Sequence, residues 1–290
     1  MVCRTRFETF ILARRDHIDG ATRCQASSPL ELDRRFRYAL PRVTSGPPAF
    51  AAGLLPNGNR HRMTREDFHE QGVLIKRDGL SLYGLLRAPP GSRRLAILVP
   101  WGYGDRTGMT RIYVEAARRL YRAGVASLCI DTPPNNYSRD SQARGDALMA
   151  QARYIEHFIS HMAGERPDCE ISILGYCSSA ISALYVARKH GLARVVALNP
   201  WDFQFYELTE PAHVVFFDYS KYYANSLDIH YLIAEREEAS ERKAEYLRRF
   251  FEDDRCRVTR TVISDTDHLF SGWRNKHRLA DAITTALAAA

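Results

Sequence analysis

The sequence predicts an α/β protein with a mostly parallel central sheet and helices on both of its faces. Three observations support this prediction. From about residue 70 to the end, short apolar runs alternate with helical patterns. The runs are continuous rather than alternating, as in strands that are buried on both faces. The 290 residues are 45% hydrophobic, which is enough to fill the core of one large domain. Parallel strands joined by right-handed crossover helices satisfy all three observations.

The elements follow in chain order. Predicted strands lie at 71–76, 80–87, 95–100, 125–131, 171–177, 194–198, 228–234 and 257–264. The first two are joined by Asp78 and Gly79, a pair typical of an antiparallel hairpin. Predicted helices lie at 110–123, 145–163, 178–190, 240–251 and 271–289. Because open sheets of this class bind ligands beyond the carboxyl ends of their strands, functional residues are expected at that edge.

Two segments differ from this pattern. Residues 1–62 are rich in arginine, free of lysine and broken by Pro, Gly and Ser, so they predict a disordered or non-native leader before a domain at 63–290. Residues 202–227 are irregular and rich in aromatic side chains. They predict either ordinary core with a short strand at 213–217, or a small lid that lines a pocket for an acyl group or a ring.

Composition excludes several function classes. The net charge is +7, but most of the excess lies in the leader, so no basic stripe on the domain indicates a nucleic-acid partner. No apolar run reaches the roughly 18 residues that a membrane span needs. The six cysteines show neither a CxxC pair nor zinc-like spacing, which favours reduced thiols in a cytoplasmic protein. No metal or organic cofactor is implied, and the oligomeric state is left open.

The run from Gly175 to Ser179, with Cys177 at its centre, carries the chemistry. A buried strand ends here in a turn of small residues, and a helical pattern starts at once. This is the outline of a nucleophile elbow, a strained strand-to-helix turn that needs small residues two before and two after its apex. A cysteine thiolate attacks carbonyl carbon and leaves a thioester, so the turn predicts an acyl-handling enzyme. Ser178 is the weaker candidate for the nucleophile, because Tyr176 would then occupy a position that requires a small residue.

From about residue 70 onward, these features resemble the α/β-hydrolases. The elbow is similar to that of dienelactone hydrolase, which uses G-x-C-x-G, although Ser179 replaces its last glycine. The front half, 100–131, resembles small hydrolases encoded with bacterial exosortase systems, although residues 132–136 replace their Gly-rich turn. The resemblance implies the α/β-hydrolase fold and a triad of Cys177, a histidine and an acid.

The resemblance also implies the triad partners. The family places its histidine after the last strand, where His268 lies. Its acid follows the penultimate strand, where Glu237 matches the family's G-x-x-D. Other acids remain open: Glu235, Glu238, Asp218 and Asp202.

Two backbone N–H groups are needed to stabilise the negative oxygen that forms during acyl transfer. One is expected from Ser178, the residue after the nucleophile. The second is expected from the segment 101–104, which resembles the family's H-G-x-x-G. Tyr103 is the preferred donor in this segment, and Gly102 is the second candidate. A plain glycine turn is the alternative for this segment.

Together these residues predict hydrolysis of an ester, lactone or thioester through an acyl-cysteine intermediate. The substrate is expected to be a small molecule or a carrier-linked acyl group. Two alternatives stay open: an acyltransferase or cyclase that passes the acyl group to an acceptor other than water in polymer, polysaccharide or natural-product assembly, and a non-catalytic hydrolase-like binding module.

Overall fold

A computed structural model describes residues 70–77, 79–102, 104–133, 138–140, 147–200, 225–238 and 255–289. The predicted leader, the predicted helix at 240–251 and the predicted strand at 213–217 lie outside these residues. So does the predicted lid at 202–227, except for its last three residues.

The described residues form nine strands and five α-helices, numbered here in chain order. The strands are β1 (Glu70–Arg77), β2 (Leu80–Arg87), β3 (Arg94–Val99), β4 (Ala126–Ile130), β5 (Arg139–Asp140), β6 (Glu170–Tyr176), β7 (Arg194–Leu198), β8 (Leu227–Ala234) and β9 (Cys256–Ile263). The helices are α1 (Ile112–Arg122), α2 (Ala147–Glu165), α3 (Ser178–His190), α4 (Glu235–Glu238) and α5 (Trp273–Ala288).

The strands form one mixed sheet in the order β1-β2-β4-β3-β6-β7-β8-β9. β1 pairs antiparallel with β2, and β2 pairs antiparallel with β4 and with the two-residue β5. From β4 through β3 and β6 to β9 every pairing is parallel. The predicted hairpin and the predicted parallel core are therefore confirmed.

Successive residues of a strand face opposite sides of a sheet, and helices cover both sides here. Ile97 and Ile173 pack with α2 and α3 on one face. Their neighbours Leu98 and Leu174 pack with α1 and α5 on the other face. Because the central strands are covered twice, their sequences show continuous apolar runs.

Two local features differ from the prediction. α1 begins at Ile112 rather than at residue 110, because Thr110 and Arg111 adopt positive φ angles of 50° and 62° and form a 3-10 turn with Met109. β5 was not predicted, since two residues are too few to show a period. No helix in the described part of the chain combines the length and the apolar character needed to cross a membrane.

Candidate active site

Cys177 is the single residue between the end of β6 and the first turn of α3. Its backbone has φ 57° and ψ −120°, a strained conformation for a residue that has a Cβ. Its N–H donates to the Leu198 carbonyl over 2.9 Å, and its own carbonyl accepts from Ala180 N–H over 3.1 Å. The surrounding structure therefore holds Cys177 in a sharp strand-to-helix turn.

Gly175 makes this turn possible. A Cβ at this position would lie 2.3 Å from the Ser179 carbonyl oxygen, a distance that no side chain tolerates. Ser179, in contrast, fits at the last position of the elbow, where the pattern G-x-C-x-G has glycine, because its hydroxyl makes hydrogen bonds. Tyr176 N–H donates to Ser179 Oγ over 2.7 Å, and Ser179 Oγ lies 3.1 Å from the Val99 carbonyl oxygen. The Tyr176 carbonyl oxygen also lies 2.9 Å from Ser179 Oγ, so the single hydroxyl proton can be donated within the elbow or to β3.

The segment after β3 contacts the start of α3. Gly102 N–H donates to Ser178 Oγ over 3.1 Å. Gly104 N–H donates to the Trp101 carbonyl over 2.8 Å, which closes a tight turn. Tyr103 was predicted to supply the second N–H group for the oxyanion, and it lies outside the described residues.

A partly buried ion pair between Arg106 and Asp131 holds the chain that follows Gly104. Asp131 follows β4 and is fully buried. Its carboxylate accepts from Arg106 N–H over 3.0 Å and from Arg106 Nη1 over 2.7 Å. This pair was not predicted from the sequence, where its only signal was an acid at the carboxyl end of a predicted strand.

His268 lies in the loop between β9 and α5, beside an acid from α4. His268 Nδ1 is 3.2 Å from Glu237 Oε1. The two side chains are 30% and 29% exposed, so the pair lies at the boundary between the core and the solvent. Two residues that the sequence predicted to act together are thus within hydrogen-bonding distance.

The surroundings of His268 favour its protonated form. Burial lowers the pKa of His268, but hydrogen bonding to the Cys177 sulfur and to Glu237 raises it, and the net pKa is about 9. A raised histidine pKa is expected beside groups that carry negative charge. The candidate nucleophile, base and acid therefore interact in one cluster.

The other candidate acids are placed differently. Glu235 is exposed, and its Oε2 accepts a hydrogen bond from Asp265 N–H over 2.8 Å. Its carboxylate therefore holds the main chain of the loop that carries His268. The side chain of Glu238 and all of Asp202 and Asp218 lie outside the described residues.

Two further residues contact His268, and neither contact was predicted from the sequence. The Tyr176 hydroxyl donates to the His268 carbonyl over 2.6 Å. Asn199 Nδ2 donates to the same carbonyl over 3.0 Å, and Asn199 Oδ1 accepts from Ala234 N–H over 2.7 Å. The available signals were the place of Tyr176 before the nucleophile and that of Asn199 directly after β7.

No family model matches the chain, and no match was found among curated proteins. Solved structures do match. A dienelactone hydrolase from Anabaena variabilis is 14% identical, with a TM-score of 0.59 over 76% of this chain and 96% of that chain. Est1E from Butyrivibrio proteoclasticus is 15% identical, with a TM-score of 0.57 over 73% and 96%.

An α/β serine hydrolase homologue from Coxiella burnetii is 16% identical, with a TM-score of 0.56 over 78% of this chain and 99% of that chain. At such low identity these similarities concern the fold. Together with the sheet order and the strand-to-helix turn at Cys177, they show that the chain has the α/β-hydrolase fold.

Proposed function

We propose that the protein is an acyl-handling hydrolase with Cys177 as nucleophile, His268 as base and Glu237 as the acid that orients the base. The observation that carries the proposal is the cluster itself: a strained cysteine turn whose sulfur raises the pKa of a histidine that also contacts a carboxylate. Strain of this kind is concentrated at functional sites.

The chemistry follows from the geometry. Because Nδ1 of His268 contacts Glu237, Nε2 is the nitrogen that exchanges a proton with Cys177. The thiolate attacks the substrate carbonyl carbon, a sulfur–carbon bond forms, and the carbonyl oxygen becomes negative. When this intermediate collapses, the bond to the leaving group breaks and the imidazolium gives that group its proton. The product is a thioester on Cys177.

The second half of the reaction uses water. His268 takes a proton from a water molecule as it attacks the thioester, and the carbon–sulfur bond breaks to release the acid and the thiolate. Glu237 stabilises the imidazolium in both halves. Backbone N–H groups stabilise the negative oxygen, with Ser178 N, at the start of a helix, as the first.

The substrate class is an ester, lactone or thioester. Its support is the cysteine chemistry together with two structural neighbours, a dienelactone hydrolase and Est1E, which binds ferulic acid. Transfer to an acceptor other than water needs the same thioester, so the two reactions differ only after acylation.

The test is the intact mass of the protein after incubation with an activated ester, p-nitrophenyl acetate, and with acetyl and longer-chain acyl thioesters. We expect a mass gain of one acyl group on the wild type and none on Cys177→Ala. Cys169→Ala is the matched control, because Cys169 is a partly exposed thiol whose Sγ contacts the Ser92 carbonyl, away from the elbow. Acylation of Cys177→Ala to the same extent as the wild type would overturn the assignment.

A second measurement separates hydrolysis from transfer. The acylated protein is isolated and placed in buffer alone or in buffer with a primary alcohol or amine. Loss of the acyl group in buffer alone supports the hydrolase, whereas loss only with the added acceptor supports a transferase.

A further inference from the structure

The main-chain carbonyl of His268 accepts two hydrogen bonds, from the Tyr176 hydroxyl over 2.6 Å and from Asn199 Nδ2 over 3.0 Å. We propose that Tyr176 and Asn199 are positioning residues that fix His268 against Cys177 and Glu237. The inference rests on the proposed function, because it concerns the base of that triad.

Tyr176 joins the base to the elbow. It is the last residue of β6, directly before Cys177, and is 1% exposed. Its ring stacks on the His268 imidazole with centroids 5.7 Å apart and an interplanar angle of 29°. One side chain therefore contacts both the ring and the carbonyl of His268.

The Tyr176 hydroxyl remains a donor at every pH at which the protein would work. Burial raises the pKa of Tyr176 well above its ordinary value, and the nearby Cys177 adds to this effect. A protonated phenol can donate to a carbonyl, whereas a phenolate cannot.

Asn199 joins the base to the acid. It is fully buried, has φ 38° and follows β7, and its own N–H donates to the Leu232 carbonyl in β8 over 2.9 Å. Its Oδ1 accepts from Ala234 N–H over 2.7 Å. Ala234 is the last residue of β8, immediately before α4, which carries Glu237. Both ends of this carboxamide are thus used, one toward the His268 loop and one toward the acid.

Because the His268 carbonyl is held from two sides, the backbone of His268 is restricted. The position from which its imidazole side chain extends is therefore fixed as well. Catalytic side chains need to be held within about 0.5 Å of the productive geometry by the residues that support them. Residues 264–272 lie between β9 and α5 without regular structure, so the position of the ring depends on such contacts. We infer that the interaction of His268 with the Cys177 sulfur requires both donors.

The experiment uses two nearly isosteric variants of the full chain. Tyr176→Phe removes the hydroxyl and keeps the stacked ring. Asn199→Asp keeps an oxygen for Ala234 N–H but replaces the amide donor by a carboxylate oxygen that repels the His268 carbonyl. The two variants remove donors that bind the same carbonyl from the ends of different strands, so one variant still provides the test if the other fails to fold.

Two matched control variants lose a tyrosine hydroxyl or an asparagine amide N–H at sites that do not contact His268. Tyr154→Phe removes a buried hydroxyl that donates to Asp140 Oδ2 over 2.8 Å. Asn225→Asp removes a carboxamide N–H that donates to the Arg188 carbonyl over 2.6 Å. Both sites lie away from the triad.

Two quantities are measured without any acyl substrate: the pKa of His268, from NMR of the labelled imidazole, and the rate at which iodoacetamide alkylates Cys177 between pH 6 and pH 9. For the wild type we expect a pKa of about 9 and alkylation that is already fast at pH 6. For Tyr176→Phe we expect a pKa closer to the ordinary value of about 6.5 and alkylation at pH 6 slowed about tenfold. For Asn199→Asp we expect the same slowing of alkylation, but its new carboxylate itself raises the pKa of a nearby histidine, so alkylation alone is the readout for this variant. The two control variants should match the wild type.

The outcomes separate this inference from the proposed function. If the wild type shows a raised histidine pKa and fast alkylation, but either variant that folds keeps the fast alkylation, the positioning role of the donor that this variant lacks is overturned while the triad stands. A wild type with an ordinary histidine pKa and alkylation no faster than that of Cys169 would contradict the triad itself, and the positioning role with it.

Discussion

Gly102 N–H donates a hydrogen bond to Ser178 Oγ over 3.1 Å. The loop after β3 is thereby tied to the residue that follows the candidate nucleophile. In this fold, those two segments are the ones expected to supply the donors that stabilise the negative oxygen. The Ser178 side chain therefore sets the distance between these two segments.

Ser178→Ala removes this tie while leaving its backbone N–H in place. We expect kcat to fall about tenfold with little change in KM, because a donor that is less well placed stabilises the transition state more weakly than before. Steady-state kinetics with p-nitrophenyl acetate provide the measurement. Ser178→Thr keeps a hydroxyl and should recover most of the rate.

Ser182→Ala is the control for this prediction. Its hydroxyl donates to the Leu148 carbonyl over 3.2 Å from the same helix, α3. Unchanged kcat in Ser178→Ala, or an equal loss in Ser182→Ala, would argue against a role of the Gly102–Ser178 bond in catalysis.

Glu237→Gln tests the candidate acid of the proposed triad. The amide keeps the shape and one hydrogen bond but removes the charge that stabilises the imidazolium, so turnover should fall while the fold survives. We expect a loss of about 10- to 100-fold, smaller than in serine enzymes, because a thiolate forms an ion pair with histidine without much help from a third residue.

Glu235→Gln serves as the comparison, since a glutamine oxygen can still accept from Asp265 N–H. It should retain near-normal turnover. If turnover falls further in Glu235→Gln than in Glu237→Gln, Glu235 rather than Glu237 is the acid.

The pKa of His268, about 9, depends on two neighbours. Cys177→Ala and Glu237→Gln should each lower it in an NMR titration, with the larger drop in Cys177→Ala because the sulfur has the stronger raising effect. An unchanged pKa in Cys177→Ala would mean that the imidazole does not interact with the thiol.

The same pKa predicts how stability depends on pH. Since the folded value exceeds the unfolded value of about 6.5, protonation of His268 favours the folded state. This contribution is complete below pH 6.5 and is lost as the pH rises through about 9. The difference in Tm between wild type and His268→Gln should therefore shrink over that range. A difference that grows toward pH 9 would have the wrong sign.

Asp228 predicts an effect on stability alone. At the start of β8, it accepts hydrogen bonds from Arg194 and Arg257 at the starts of β7 and β9, at the edge of the sheet opposite the triad. Burial raises the pKa of Asp228, but the two guanidinium groups outweigh this effect and hold it well below its usual range. Its contribution is therefore present above about pH 4 and is lost as the pH falls.

Asp228→Asn should lower Tm by roughly 5 °C at pH 7 without changing kcat, because it leaves two arginines without their shared anion. Thermal unfolding followed by circular dichroism measures the shift. Asp281→Asn, which removes an exposed partner of Arg119, should have almost no effect. An equal shift in both variants would contradict the prediction.

The elbow and the place of His268 could be predicted from the sequence for a physical reason. The requirements at Gly175 and Cys177 act within one turn, so they leave a local pattern, and β9 was long and regular enough to locate the loop after it. The bond between Asn199 and the His268 carbonyl joins residues 69 positions apart and leaves no such pattern. Similarly, the positive φ angles of Thr110 and Arg111 oppose the local preference of both residues, so only the folded structure reveals them.

The order of strands in the sheet also determines when the site is completed. β6, β7, β8 and β9 are added one after another outward from β3, in the order in which a ribosome makes them, so each new strand finds its neighbour already present. Cys177 directly follows β6, the first of these four strands, but His268 follows β9, the last one. If the proposed function holds, the candidate nucleophile is therefore synthesised well before the candidate base, and the two can interact only when the final strand has docked.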